Sequence, residues 1–224
     1  MTDPGARLSA SWDANADAWT RVVRAGAIPS RRAGTDAAAV SGVLDALPEG
    51  GRVLDVGCGE GWLARALADA GASVHGVDGS AGLIEAARTA GGGPTYETVT
   101  YAQAAADPPR LGGLYDAAVF NFALLDDDPS PILAAGASRV RPGGRVVVQT
   151  VHPLAAGPPY RDGWREESFA AFGDDGGFEP MPWFFRTLGS WVGVTTAAGL
   201  RLAEVREPTP GDTPLSLVLL ADVG

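Results

Sequence analysis

Lysine is absent from this sequence: all 17 basic residues are arginine. That excludes Schiff-base chemistry, an amine nucleophile and the lysine of a Walker-type phosphate loop. Cysteine occurs once, at Cys58, so no internal disulfide can form and a reducing, cytoplasmic setting is expected. Positive charge is scarce. The formal net charge is -10, and Arg31-Arg32 is the one dense basic spot, which argues against a nucleic-acid partner. Long apolar runs are missing as well: Gly, Pro, Arg or Asp interrupts each one far short of the ~20 residues that span a bilayer, so no membrane partner is expected. The opening MTDPGARLSASWDANADAW has an early acid and no apolar region before a small-residue cleavage site, unlike a secretory signal. No metal site is expected. The bias toward Ala, Gly, Arg and Pro suggests a GC-rich bacterial genome.

What is present reads as one α/β domain over residues 1–224, with no internal repeat and 46% hydrophobic content to build its core. Trp12, Ala16, Trp19 and Val23 recur at helical spacing, so the pattern predicts an amphipathic helix over 11–25 with Ser11 as N-cap. A second helix follows Thr35 and ends at Pro48. Apolar runs then alternate with helices: RVLDV, a helix to Ala70, SVHGVD, a helix capped by Ser80, YETVTY, YDAAVF, a helix from Pro129, and GRVVVQT. Near-continuous apolar strands in βαβα order predict a parallel sheet buried on both faces. From 151 to 186 the pattern lapses into a long loop-like stretch rich in Gly, Pro and aromatics, too long for a mere connector and expected to cap a site. A helix from Thr187, with Leu188, Trp191, Val192 and Thr195 on one face, stops at Gly199. The final runs LRLAEVRE and PLSLVLLADV read as a hairpin.

The first strand enters Gly57-Cys58-Gly59-Glu60-Gly61 and then a helix, the place where a doubly wound sheet binds ligands. Asp78 ends the second strand about 20 residues on, where a carboxylate can take both hydroxyls of a ribose. An ordinary tight turn at the glycines, or a turn role for Asp78, gives the same letters. A dinucleotide loop needs a third glycine at position 62, and Trp62 stands there. With no lysine for a Tyr-x-x-x-Lys pair, a nicotinamide-dependent oxidoreductase is the weaker reading. Asp55 interrupts an apolar strand and is expected to accept hydrogen bonds from the loop or from a cofactor ammonium. Cys58 reads as a small residue within the loop, since no nearby base would make it a nucleophile.

With VLDVGCGEG, VDGS and VRPGGRVVV in this order, the chain resembles the class I S-adenosylmethionine-dependent methyltransferases across nearly its whole length. The resemblance implies an α/β fold: a Rossmann-like, doubly wound, mostly parallel seven-stranded sheet with an antiparallel last strand. It implies that S-adenosylmethionine is the cofactor. Asp55 and Gly57, Cys58, Gly59 and Gly61 would hold its methionine part, Asp78 and Gly79 the ribose, Tyr101, Ala102 and Gln103 the adenine, with Asn121 and Phe122 lining the methyl face. The acid that often meets the adenine amino group is missing near Tyr101, so backbone or Gln103 would serve. Arg31 or Arg32 is a candidate for the cofactor carboxylate.

Methyl transfer needs alignment and exclusion of water first, and a general base only for some acceptors. His152 follows the fifth strand at the same sheet edge as the glycine loop; it is either that base or a strand-end hydrogen-bonding residue beside Pro153. His75 lies within a strand and reads as structural. Tyr160, Trp164, Phe169, Phe172, Phe178, Trp183, Phe184 and Phe185 crowd the 151–186 cap. They suggest an apolar or aromatic small-molecule acceptor or, equally, fasten the cap to the core. Tyr160, Trp164, Trp183 and Arg186 are acceptor candidates, with Trp12 and Trp19 from the N-terminal helices of 1–50 either closing the mouth as in similar methyltransferases or, equally, serving plain packing. A cofactor-binding regulator or partner without catalysis is the alternative from another class. Oligomeric state is not legible.

Overall fold

The computed structural model describes residues 4–30, 34–170 and 177–224. Seven strands form one sheet: β1 (Arg52–Val56), β2 (Ser73–Asp78), β3 (Thr95–Thr98), β4 (Tyr115–Asn121), β5 (Val140–Val151), β8 (Arg201–Arg206) and β9 (Ser216–Asp222), in the order β3-β2-β1-β4-β5-β9-β8. The pairs from β3 through to β5 are parallel, while β9 runs antiparallel to both β5 and β8. The doubly wound sheet with one antiparallel last strand is therefore as expected.

Side chains alternate across each strand, so the apolar runs feed two cores. Leu54, Val56, Val77, Phe120, Val146 and Val148 face helices α5 (Tyr101–Ala106), α6 (Ser130–Ala137) and α7 (Leu188–Ala197). Val53, Val74, Val119, Val147 and Val218 face α2 (Asp36–Leu44), α3 (Trp62–Asp69) and α4 (Ala81–Ala90). Asp55, two residues beyond Val53, points to the second side.

Four local readings are corrected. Helix α1 spans Pro4–Arg24, and Ser11 is no cap: it lies buried inside the helix, its hydroxyl accepting from Asn15 Nδ2 at 3.1 Å. Proline is tolerated in a first helical turn, so the helix starts before the periodic residues do. The third strand stops at Thr98 because Thr100 and Gln103 form a reciprocal capping box that starts α5 at Tyr101. On α7, Trp191 and Thr195 are buried as expected but Val192 is exposed. The 151–186 stretch is not all loop. It carries a separate antiparallel ribbon of β6 (Gly163–Glu167) and β7 (Met181–Phe185), pairing Trp164 with Phe184 and Arg165 with Trp183. A proline and three charged residues hid its alternation.

Candidate active site

The carboxyl ends of β1, β2 and β4 meet at the glycine loop. Gly57, Gly59 and Gly61 all adopt left-handed φ, at 75°, 56° and 83°. A Cβ on Gly57 would lie 2.5 Å from the Ala123 methyl and 2.6 Å from Tyr101 Oη, so the loop packs directly against the segment leaving β4. Gly59 faces outward, and Trp19 Nε1 of α1 is 3.8 Å from where its Cβ would be.

Two carboxylates sit beneath this loop in different states. Asp78 accepts from Gly59 N and from Ser80 N, each at 2.9 Å, and so ties the loop to the turn before α4. Each oxygen keeps acceptor capacity for a further donor. Burial pushes its pKa up, the backbone donors pull it down, and Asp13 of α1 adds repulsion. Asp55 is 1% exposed, and neither carboxylate oxygen has a hydrogen-bond partner. Burial first, then the charge of Asp78, pushes its pKa up to about 7. Of the two partners expected for Asp55, the loop is thus not one. Asn121, at the end of β4, also has a buried Oδ1 without a partner, and Phe122 beside it holds a left-handed φ of 52° that costs a non-glycine residue energy.

The expected adenine side is the start of α5. Tyr101 Oη donates to Ala123 O at 3.1 Å and underlies the loop. Gln103 accepts from Thr100 N through Oε1, which commits its carbonyl oxygen to the helix cap; Ala102 is exposed beside it. Gly79 is exposed in the turn after β2. Burial raises the Cys58 thiol well above its ordinary pKa, which keeps it protonated and inert.

His152 is buried at the end of β5 with both ring nitrogens engaged. Nδ1 accepts from Leu154 N at 3.2 Å, which makes Nε2 the donor to Glu207 Oε1 at 2.8 Å. Of the two readings of this residue, the geometry is that of strand-end hydrogen bonding. His75 bonds Thr95 Oγ1 through Nδ1 at 2.9 Å and stacks on Tyr115, at the amino ends of the strands and away from the loop.

The structure brings Trp12 and Trp19 together, edge to face at 5.6 Å, in a cluster with Leu8, Leu125, Phe169, Phe178 and Met181 beside the glycine loop. The other acceptor candidates lie in different ring groups. Tyr160 packs on Phe185, Trp164 on Phe184, and Trp183 lies against Phe185. Arg186 is buried, stacks between Phe184 and Trp191, and donates to Asp126 O, which fastens the ribbon to the β4–α6 loop. Arg32 and Phe172 lie outside the described residues.

A family profile described as a methyltransferase domain matches residues 31–200, more than half of the chain. The chain belongs to that methyltransferase domain family. Its fold is that of the class I S-adenosylmethionine-dependent members. It is 39% identical over 109 residues to a ubiquinone biosynthesis O-methyltransferase of Thiobacillus denitrificans, covering 46% of this chain and 45% of that one. The match thus spans less than half the length of that curated relative. Among solved structures, the methyltransferase domain resembles magnesium protoporphyrin IX methyltransferase from Synechocystis with bound SAH (TM-score 0.70, 21% identity, 98% of this chain and 100% of that one). It also resembles 1,6-didemethyltoxoflavin-N1-methyltransferase from Burkholderia thailandensis (TM-score 0.67, 17% identity, 100% and 91%).

Three features of the methyltransferase site escaped the sequence reading: Glu60 with its two arginines, Asn15, and Glu207 against His152. A fourth missed feature, the Thr100-x-x-Gln103 capping box, did carry a sequence signal. The others pair residues far apart in the chain.

Proposed function

We propose that this methyltransferase domain transfers a methyl group from S-adenosylmethionine to a small apolar or aromatic acceptor. The observation that carries this reading is Asp55, a buried carboxylate with two unpartnered oxygens directly below the glycine loop. In its ionised form such a group is stabilised by a cationic donor, and the cofactor's ammonium fits it. Asp55 and Asn121 would hold the methionine part, with Asp78 taking the ribose hydroxyls; Gly57 and Gly59 admit the backbone approach. The cofactor, when bound, supplies an electrophilic methyl on a sulfonium. The chain's part is to align the acceptor and exclude water: Trp12, Trp19 and their cluster close the mouth, and the β6–β7 ribbon completes the cap. With both nitrogens of His152 engaged, we infer that transfer rests on alignment and not on proton removal by that ring.

We read residues 1–224 as one domain, with α1 and the 151–186 segment as the cap; α2, expected in the cap, packs instead on the sheet. Among the described residues no helix is long and apolar enough to cross a membrane. The net charge of -10 favours a small metabolite over a nucleic acid. The O-methyltransferase relative makes an oxygen acceptor the first to try. Calorimetric titration with S-adenosylhomocysteine beside NADH tests the cofactor: binding of the first alone supports the reading, and binding of NADH alone overturns it. Tight cofactor binding without transfer to any acceptor would instead favour a non-catalytic regulator.

A further inference from the structure

We propose that Arg24 is a positioning residue that latches α1 across the cofactor mouth, so that one ion pair sets how long the cofactor stays bound. The inference rests on the cofactor reading above.

Glu60 lies within the glycine loop, and its side chain is 0% exposed. Arg65 of α3 clamps it at both ends: Nη2 is 2.7 Å from Glu60 Oε2, and Nη1 donates to the Glu60 carbonyl at 2.7 Å. That local clamp already gives the buried carboxylate a cation. Arg24 is a second one, arriving from α1, with Nε 3.3 Å from the same oxygen and Nη2 donating to Ala86 O of α4 at 2.8 Å.

The position of Arg24 on α1 gives this extra pair its role. About 13 Å back along the helix, at 1.5 Å per residue, Asn15 is fully buried. Its amide exchanges two hydrogen bonds with the Glu179 backbone, at 3.0 and 2.8 Å, and so holds the segment before β7. Between these two fastenings, Ala16 packs against Gly82 of α4, and Trp19 stands over Gly59. A cofactor entering at the glycine loop has to pass the Trp19 turn, which requires α1 to lift. Lifting breaks the bonds of Arg24, yet Glu60 keeps Arg65, so no buried charge is orphaned. The Arg24 side chain is 43% exposed, which opens the pair to screening by salt.

The test is the dissociation rate of S-adenosylhomocysteine from the full chain, read by stopped-flow tryptophan fluorescence. The proteins compared are wild type, Arg24→Met and Arg24→Lys, each at about 50 and about 500 mM salt. The latch predicts release about tenfold faster in Arg24→Met, partial recovery in Arg24→Lys, and salt-accelerated release in wild type that Arg24→Met lacks. A urea midpoint within error of wild type would show that Arg24→Met acts on α1 and not on the whole fold. Equal rates and equal salt dependence in wild type and Arg24→Met would overturn the latch while leaving the cofactor reading intact. No binding by wild type would overturn both.

Discussion

Replacing Asp55 by Asn should stabilise the ligand-free protein while weakening cofactor binding. The carboxyl is pushed up to about 7 by burial and by Asp78, against 3.8 for an unperturbed aspartate. Because the folded-state pKa is the higher one, the stability this group contributes is complete below about pH 4 and is lost as pH rises through about 7. At about 1.4 kcal/mol per pKa unit, full ionisation costs the fold about 4 kcal/mol. Asparagine copies the shape of the neutral carboxyl and never ionises. At pH 8, Asp55→Asn should therefore gain up to about 4 kcal/mol over wild type, and for a chain of this length each kcal/mol moves Tm by about 2–4 °C. Thermal unfolding at pH 4.5 and pH 8 checks this: the gain should appear at pH 8 and shrink toward zero at pH 4.5. With excess S-adenosylhomocysteine the advantage should narrow, because ligand stabilises each protein according to its affinity and the variant has lost the ammonium's partner. Wild-type affinity should also rise with pH up to about 7 as the carboxylate forms. An Asp55→Asn protein no more stable than wild type at pH 8, or one binding the ligand equally well, would refute the reasoning.

Asp78→Ala should weaken S-adenosylhomocysteine binding at least about tenfold, or about 1.4 kcal/mol, by calorimetry; unchanged affinity would leave Asp78 only its role at Gly59 N and Ser80 N. His152→Ala removes the partners of Leu154 N and Glu207, so a stability loss of about 1–3 kcal/mol is expected in denaturant melts, with turnover per folded molecule little changed. Loss of turnover without loss of stability would restore His152 as the base. Gln103→Ala breaks the α5 capping box and should cost about 1 kcal/mol of stability while leaving cofactor affinity within about threefold. A larger drop in affinity would return Gln103 to the adenine site.

The sheet was legible because its determinants are local and repeated. Each parallel strand, buried on both faces, shows as an apolar run, and the glycine loop is recognisable because close backbone approach demands glycine at fixed spacing. The β6–β7 ribbon was not legible, since Gly163, Glu166 and Pro182 break the alternation that marks a half-buried strand. Tyr101 and Gln103 were placed at the right strand end, but a strand reading that ran to Tyr101 hid the helix starting there and the capping box that engages Gln103 Oε1. His152 fell at the right edge of the sheet. What sequence did not show was that Glu207, far along the chain, and the nearby Leu154 N take up the hydrogen bonds of its ring.

Charge explains why so acidic a site belongs on this fold. Asp55 and Asp78 raise each other's cost of ionisation, and Asp13 on α1 adds to the burden on Asp78. None of the three is relieved by an arginine within ion-pair distance among the described residues, whereas Glu60, one loop position away, has two. Among the described residues, two arginines pair with Glu60 and none with Asp55, so one buried negative centre is paired within the protein and the other is open to the cationic ligand proposed above. In the proposed reading, a cationic cofactor would be held by that unpaired charge. The product, having lost its sulfonium charge, interacts with it less strongly. On that reading, the same electrostatics that disfavour the empty protein near neutral pH would favour reactant over product, which would link the stability of Asp55→Asn to turnover at the site.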